Sequence, residues 1–373
     1  MKKRTALLAA AIAGTLPSVA SADNYSMVNF LSPTHATTLG QVYFADEVKR
    51  ATDGKISFEV FPGGSLLPAN GALGGIRDGV AEGGYIAGTY FPSELQVTNV
   101  FADLGWAAPD ALLMAIASTD FNINYEPLQE EWKRNGIVPL SGYGSNPYVL
   151  LCADKLETAD DFKGKRIRMP GGAWDRFATH IGAVAVNVPS SELYVGLERG
   201  LIDCAVNGVD ALATFSLWDV VDGVNMIPLG TYFSGVNIGL NRDFWATVST
   251  EDRQAMIDAA AMAVVTTQAK YAESEKEALD AAAGHDVAII EPGDEFKKIL
   301  ADFIAADVEN IKQLGVERFK VENSDEVVNE FLAVVDKWKN LLSGVDRADH
   351  EAVAALVKKE IFDPLNPDEY GMK

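Results

Sequence analysis

A stretch of roughly 34 residues without proline or glycine, from residue 250 to residue 283, is the feature that most constrains the fold. Ser249 precedes it as a helix N-cap, Asp252 supports the first turn, and Gly284 ends it. At about 1.5 Å per residue the predicted helix is roughly 50 Å long, which exceeds the diameter of one small domain. Sustained heptads are absent, because residues 259–265 are all small or apolar. We therefore predict a buried helix that runs across two lobes.

The remaining chain alternates strand and helix signals, and its 373 residues suffice for two domains. Predicted strands lie at residues 27–31, 56–60, 84–87, 136–139, 149–152, 166–169 and 202–206. Predicted helices lie at residues 38–52, 71–78, 174–181, 191–199, 294–314, 325–342 and 350–361. This alternation indicates an α/β fold with mainly parallel sheets covered on both faces.

The two lobes lack an obvious linker in the sequence, so we expect the chain to cross between them more than once. We assign residues 23–145 and 234–273 to lobe I. Residues 146–233 and 274–373, with the C-terminal helices, are assigned to lobe II.

The first 22 residues have the pattern of a secretory signal peptide. Lys2, Lys3 and Arg4 form a basic start, an apolar run follows, and Ala20-Ser21-Ala22 is a small-x-small cleavage site. The apolar run is about ten residues, whereas a bilayer span needs about 20. We predict cleavage after Ala22 and export to the periplasm.

The charge balance argues against nucleic-acid binding. The chain has 31 Lys and Arg residues against 53 Asp and Glu residues, a net charge of −22. Loss of the leader removes three of the basic residues and deepens this imbalance. Such a surface repels phosphate backbones, so an anionic ligand would need a local positive group.

Catalytic and metal-binding patterns are largely missing from the sequence. It contains no P-loop, HExxH, GxSxG or CxxC motif, and its four histidines are far apart. We expect no cofactor and no metal site, and we interpret each histidine as a solvated or capping residue. A periplasmic hydrolase stays an alternative, but it would need a Ser/His/Asp cluster that the sequence does not reveal.

Arg168 is the clearest candidate for holding a small anion. It ends a predicted strand just before Pro170-Gly171-Gly172, and ligands of open α/β sheets bind at the carboxyl ends of strands. A guanidinium at that edge can bind a carboxylate through two hydrogen bonds. The alternative is an ordinary surface charge.

Cys152 and Cys204 are either a disulfide or two small buried side chains.

Several segments of the chain together carry a resemblance to a known family. They are residues 44–55, 60–66, 76–82, 161–168, 182–183, 191–194 and 197–203. On these segments the chain resembles the extracytoplasmic solute receptors of TRAP transporters, often called the C4-dicarboxylate-binding type. The resemblance implies a two-lobed periplasmic binding protein fold with several crossings and one long bridging helix. It also implies a monomeric receptor, not an enzyme, that closes on its ligand and delivers it to a membrane permease.

The resemblance also implies roles for individual residues. Arg168 matches the family's selectivity arginine, which holds a substrate carboxylate, and Asn207 matches an asparagine that assists it. Sialate-binding members carry a further arginine where this chain has Tyr148. Cys204, Val206 and Gly208 also depart from the usual residues. These departures argue against sialic acid and weaken the case for a dicarboxylate.

An aromatic wall would suit a monocarboxylate with an apolar, aromatic or hydroxylated body. Our predicted wall residues are Tyr90, Phe91, Trp106, Tyr148, Trp174 and Phe233. For each of them packing in a core is the alternative. Ser32 and Thr89, on loops after strands, are expected to hydrogen-bond substrate hydroxyls. An ABC-type receptor would share the two-lobed shape but lack the bridging helix.

Overall fold

A computed structural model describes residues 23–372 as an α/β protein with two mixed sheets. The predicted signal peptide lies outside the described residues. In chain order the strands are β1 (Asp23–Val28), β2 (Ile56–Phe61), β3 (Gly83–Ala87), β4 (Ile137–Ser141), β5 (Val149–Cys152), β6 (Arg166–Arg168), β7 (Val184–Val186), β8 (Cys204–Asn207), β9 (Gly223–Asn225), β10 (Gly235–Asn241) and β11 (Ala288–Ile290).

The helices cover both faces of the sheets and dominate the C-terminal third. They are α1 (Ala36–Ala51), α2 (Ala72–Arg77), α3 (Gln96–Ala102), α4 (Ala111–Asn124), α5 (Glu126–Arg134), α6 (Gly172–His180), α7 (Leu193–Glu198), α8 (Ala211–Thr214), α9 (Arg242–Thr247), α10 (Thr250–Ala282), α11 (Asp294–Glu317), α12 (Ser324–Leu342) and α13 (His350–Val357). The α/β fold class predicted from the sequence is confirmed.

Each lobe is built around one sheet. The order is β2-β1-β3-β10-β4 in lobe I and β11-β9-β5-β8-β6-β7 in lobe II. The expectation of mainly parallel sheets is confirmed, with one reversed strand in each sheet: β10 is antiparallel to both β3 and β4, and β5 is antiparallel to both β8 and β9. The strand pattern did not identify β10, since all seven of its residues are buried and no alternation marks it.

The long helix predicted from residues 250–283 is confirmed as α10, with 33 residues. The Ser249 hydroxyl caps it by accepting a hydrogen bond from Asp252 N. Met256 and Val264 lie in the lobe I core, whereas Ala278 and Ala282 pack with strands of lobe II. The helix therefore ties the two lobes together.

The assignment of all C-terminal helices to lobe II is wrong. Val327, Phe331 and Trp338 of α12 belong to the lobe I core, and the Trp338 indole donates to Asp120 at 2.7 Å. The Tyr370 hydroxyl likewise donates to the Pro139 carbonyl of β4. An amphipathic helix packs wherever a matching apolar face is exposed, and chain order does not determine which lobe supplies that face.

Cys152 and Cys204 face each other on β5 and β8, and their sulfurs are joined with an S–S distance of 2.10 Å. The bond links two neighbouring strands in the middle of the lobe II sheet.

Within residues 23–372, no helix combines the length and the apolar character that a bilayer crossing requires.

Candidate functional site

A cavity lies where the two lobes meet. The space between its lining atoms is narrow and amounts to about 430 Å³, including the part that is open to solvent. Its polar wall consists of His35, Tyr85, Tyr90, Tyr143, Ser145, Tyr148, Arg168, Ser190, Asn207, Asp210, Tyr232 and Tyr271. Six of these twelve are tyrosines, so the narrow space is bordered by flat rings and hydroxyl groups.

Sheet geometry brings the two predicted anion-binding residues together. Strand β6 is parallel to β8, and Arg168 lies opposite Ala205, two residues before Asn207. The carboxyl ends of both strands therefore meet at one edge of the lobe II sheet. Both side chains line the cavity at that edge.

The Arg168 guanidinium is buried without a counter-ion. The residue is 2% exposed, and it donates to the carbonyls of Val188 at 3.0 Å and Val206 at 3.2 Å and to the Tyr90 hydroxyl at 3.4 Å. Among the described residues no carboxylate oxygen lies within 4.0 Å of it. A guanidinium carries five N–H groups, so two remain for a bidentate partner. A buried charge of this kind is costly unless it is paired, which makes the site complementary to an anion.

Asn207 offers further donors beside Arg168. Its side chain is largely buried, and its Oδ1 accepts a hydrogen bond from Gly208 N at 2.8 Å. Within residues 23–372, Nδ2 has no hydrogen-bond partner. That amide group is thus free to donate to a bound ligand.

Tyr90 is the polar contact of lobe I with this edge. In addition to its bond with Arg168, its hydroxyl accepts from Ser190 N at 3.1 Å. Tyr148 stands on the other side, with its ring stacked on Tyr232 at 5.9 Å. Burial raises the pKa of the Tyr148 hydroxyl well above its usual value although the Arg168 charge opposes the change. The hydroxyl therefore stays protonated.

Three other residues, His35, Asp210 and Tyr271, form what we call the distal group of the cavity. His35 caps α1, and burial lowers its pKa to about 3, so the ring is neutral. Burial raises the pKa of Asp210 to about 6, and its Oδ1 accepts from Asn146 Nδ2 at 3.2 Å. No cationic side chain of the described residues forms an ion pair with Asp210.

The structure places four of the predicted site residues in the cavity wall: Arg168, Asn207, Tyr90 and Tyr148. Thr89 and Trp174 lie behind that wall instead. The Thr89 hydroxyl is bonded to the Tyr232 hydroxyl at 2.7 Å, and the Trp174 indole donates to the Leu229 carbonyl at 2.7 Å. Both residues position wall tyrosines, since the Trp174 ring also packs against Tyr148 and Tyr232.

Three further predicted wall residues, and Ser32, lie outside the cavity wall. Phe233 packs against Phe101 and Phe331 in the lobe I core. Phe91 belongs to the same core. Trp106 lies outside the cavity with Trp174 and Phe303, and the Ser32 hydroxyl is bonded to Thr34 at the surface. The aromatic residues failed as predictions because cores and ligand sites bury aromatic rings for the same physical reason.

The sequence reasoning missed much of the cavity, including the distal group and Tyr85, Tyr143 and Tyr232. His35 does cap a helix, as its interpretation allowed, but it is buried. Asp210 is the one residue with a local signal, because it follows Asn207 by three positions on the same strand-end loop. The tyrosines converge from four separate parts of the chain and carry no common motif.

The cavity has no connected catalytic set in the part of the chain that the structure describes. The His35 ring bonds only to Thr37, and the Ser145 hydroxyl donates to the Asn146 carbonyl. Nor do three or more His, Cys, Asp or Glu side chains of residues 23–372 gather as metal ligands. The arrangement can bind and orient a small anion.

Comparison with known proteins gives the family. Residues 27–313 match the bacterial extracellular solute-binding proteins, family 7, also called DctP. The chain belongs to this family. The resemblance to TRAP receptors that the sequence segments carried is thereby confirmed. A curated solute-binding protein from Albidiferax ferrireducens is 25% identical over 190 residues, which cover 51% of this chain and about half, 55%, of that protein.

Solved DctP-type structures share the fold. A TRAP solute-binding protein from a marine metagenome, described as specific for aromatic acid ligands, matches with a TM-score of 0.74 at 17% identity, over 84% of this chain and 99% of the other. A TRAP solute-binding protein from Rhodoferax ferrireducens, solved with benzoate, matches with a TM-score of 0.73 at 18% identity, over 86% and 99%.

Proposed function

We propose that this DctP-family protein captures a small organic monocarboxylate in the cavity and delivers it to a TRAP membrane permease. The observation that carries the proposal is the buried Arg168 guanidinium, which among the described residues has no counter-ion and has two N–H groups free. Asn207 Nδ2 adds a third donor site at the same strand edge. These donors match the two oxygens of one carboxylate.

The body of the ligand is the second determinant. Hydrogen bonds to a charged group contribute about 1.5–3 kcal/mol each, whereas micromolar affinity needs about 8 kcal/mol. Burial between the tyrosine rings must therefore supply a large share of the binding free energy. The narrow space favours a flat, compact acid, in keeping with the aromatic acid and benzoate named for the two neighbours of similar fold.

Capture is proposed to occur by closure of the lobes. Tyr90 of lobe I bonds to Ser190 N and Arg168 of lobe II, so these contacts would break when the cavity opens. Hinge bending along the segments that connect the lobes would then expose Arg168 to solvent. No chemical step on the ligand is required, and we propose that the protein works as a monomer without a cofactor.

Export to the periplasm belongs to the same proposal. Removal of residues 1–22 would leave Asp23 as the first residue, and Asp23 already pairs with Ile56 in the lobe I sheet. Mass spectrometry of the protein recovered from the periplasm should give a mature chain that starts at Asp23. A chain that keeps residues 1–22 would contradict the predicted leader.

Calorimetry on two arginine variants tests the binding proposal. Benzoate, mandelate, pyroglutamate and gulonate would be titrated into the wild-type protein, Arg168→Gln and the control Arg166→Gln. Arg166 precedes Arg168 by two residues on β6 but is half-exposed and paired with Asp203 at 2.7 Å. We expect at least one acid to bind, Arg168→Gln to abolish that binding, and Arg166→Gln to keep it. Equal affinity in both variants would overturn the proposal, and turnover of a bound ester would favour a hydrolase.

A further inference from the structure

The cavity holds a second buried charge that carboxylate capture does not use. Asp210 is 4% exposed, and its one hydrogen bond from a side chain of the described residues is that of Asn146 Nδ2 to Oδ1. Within residues 23–372 no side chain donates to the other oxygen, Oδ2, and the one backbone group close enough to lower the pKa of the carboxyl is the N–H of Asp210 itself. A carboxylate buried in this way needs a donor from outside the protein chain.

The position of Asp210 is fixed by its surroundings. Asn146 Nδ2 also donates to the Tyr271 carbonyl at 2.8 Å, so one amide holds both the aspartate and the long helix. A Cβ atom at residue 208 would lie 2.3 Å from Asp210 Oδ1, so glycine at that position leaves room for the carboxylate. The loop that carries Asn207 therefore also presents an acceptor at a set place.

His35 supplies a hydrogen-bond donor, whereas Asp210 supplies an acceptor. Its Nδ1 accepts a hydrogen bond from Thr37 N at 3.3 Å, so in the neutral ring the proton is on Nε2. Among the described residues Nε2–H has no acceptor. The ring stands edge-on to Tyr271, with the ring centroids 5.5 Å apart, and edge-on to Phe215. Asp210 and Phe215 flank the two ends of α8.

The distal group thus combines one free acceptor, Asp210 Oδ2, with one free donor, His35 Nε2–H. A hydroxyl group donates once and accepts as well, so it satisfies both, whereas an ammonium group only donates and leaves the His35 N–H unpaired. A ligand that ends in a bare ring or methyl group would leave both unpaired in a narrow cavity. Recognition of this kind discriminates strongly against analogues that lack the polar group.

We propose that the ligand is a hydroxy acid whose carboxylate binds Arg168 and whose hydroxyl donates to Asp210 and accepts from His35. The inference rests on the proposed function and narrows its substrate class. It makes Asp210 and His35 specificity-determining residues for the same cavity.

Matched ligands test the proposal on the wild-type protein by calorimetry. The probes are 3-hydroxybenzoate, 3-methoxybenzoate, benzoate and 3-(aminomethyl)benzoate, with 4-hydroxybutanoate and butanoate as an aliphatic pair. We expect at least one hydroxy acid to bind tenfold or more tightly than its partner without the hydroxyl. Equal or tighter binding of the methoxy, unsubstituted or aminomethyl acid would overturn the assignment of a hydroxyl.

Variants of the distal group locate the effect. Asp210→Leu removes the acceptor, and the preference for the hydroxy acid should fall to within about twofold. Asp210→Asn is the second variant, for use if Asp210→Leu does not fold. It keeps the shape of the side chain and the contact with Asn146, and it should reduce the preference for the hydroxy acid. The control is Asp219→Asn, an exposed residue of the same lobe that should preserve the preference.

The outcomes separate the two proposals. An unchanged preference in both Asp210 variants, with binding still lost in Arg168→Gln, overturns the hydroxy-acid inference alone. Failure of every acid to bind the wild-type protein overturns both.

Discussion

Arg168 and Arg176 lie on consecutive elements of lobe II, and their surroundings differ in one decisive respect. Arg176 of α6 pairs with Asp103 at 2.6 Å and with Asp307 at 2.7 Å, and both carboxylates are almost fully buried. Arg168 of β6 has no carboxylate partner among the described residues. The paired arginine ties lobe I and α11 to α6, and the unpaired one is left for a ligand.

The electrostatics of Arg176 show what a paired site looks like. Burial raises the pKa of the Asp103 carboxyl even though the Arg176 charge opposes the change. Burial lowers the pKa of Arg176, but its hydrogen bonds to Asp307 and Asp103 outweigh that effect and raise it. The Arg176 guanidinium holds both carboxylates in place. A buried charge with partners stabilises the fold, whereas one without partners marks a binding site.

The largest effect on stability is expected when the paired arginine, Arg176, is replaced. Arg176→Met removes the ion-pair partner that the buried Asp103 and Asp307 share. We expect the free energy of unfolding to fall by about 3–5 kcal/mol. Urea unfolding measures the change. The control Arg166→Met removes a half-exposed ion pair and should cost less than about 1 kcal/mol. A loss in Arg176→Met as small as in the control would show that the network does not hold the lobes.

Asp210 gives the next largest effect, because it is the acidic counterpart of Arg168. Its pKa is about 6 in the folded protein, against 3.8 for the free group, so the native state takes up a proton first as the pH falls. The wild-type protein should therefore gain stability relative to Asp210→Asn between pH 7 and pH 4, by about 2 kcal/mol. Unfolding of both proteins at a series of pH values measures the difference. A difference that is flat with pH would contradict the burial of an unpaired carboxylate.

The hydroxyl of Tyr90 can be removed to test the contact between the lobes. Tyr90→Phe removes the acceptor for Ser190 N and one partner of Arg168, and we expect unfolding to become easier by about 0.5–1.5 kcal/mol. Tyr194 is half-buried, and its hydroxyl has no hydrogen-bond partner within residues 23–372, so Tyr194→Phe provides the control. Thermal or urea unfolding would show the difference, and equal effects of the two substitutions would argue against a bonded Tyr90 hydroxyl.

The smallest effect on stability is expected for Arg168→Met without ligand. Replacing an unpaired buried charge by an apolar side chain of similar length relieves the desolvation cost, while three hydrogen bonds are lost. We expect the free energy of unfolding to change by less than about 1 kcal/mol. The same variant should show no thermal shift with acids that stabilise the wild-type protein. Destabilisation as large as that of Arg176→Met would make the two arginines equivalent and refute the distinction.

The fold was more predictable than the site. The helix pattern gave α10 nearly to the residue, and β6 was found because the short stretch of residues 166–169 ends in a Pro-Gly-Gly turn. The strand β10 was missed because a fully buried strand shows no alternation, and α12 was assigned to the wrong lobe because amphipathicity does not say which surface the helix meets. In the cavity, Arg168 could be placed because it ends a strand, whereas Asn207 was placed by the resemblance to the family.

The aromatic and distal residues were not predictable in the same way. Tyr148 and Phe233 are both buried aromatic residues, and nothing local separates the one in the cavity from the one in the core. His35 and Asp210 belong to different lobes and face one cavity only after both lobes meet Tyr271 of the long helix.

The sequence by itself determined that an arginine would stand at the carboxyl end of β6 and that one long helix would join two lobes. Strand ends and helix lengths follow from local spacing, which a sequence displays directly. Only the tertiary structure decided that Arg176 would have two carboxylate partners and Arg168 none. Those partners, Asp103 and Asp307, lie 73 and 131 residues away along the chain. Which charges become paired depends on how distant segments pack, and that pairing sets which arginine remains available to a ligand.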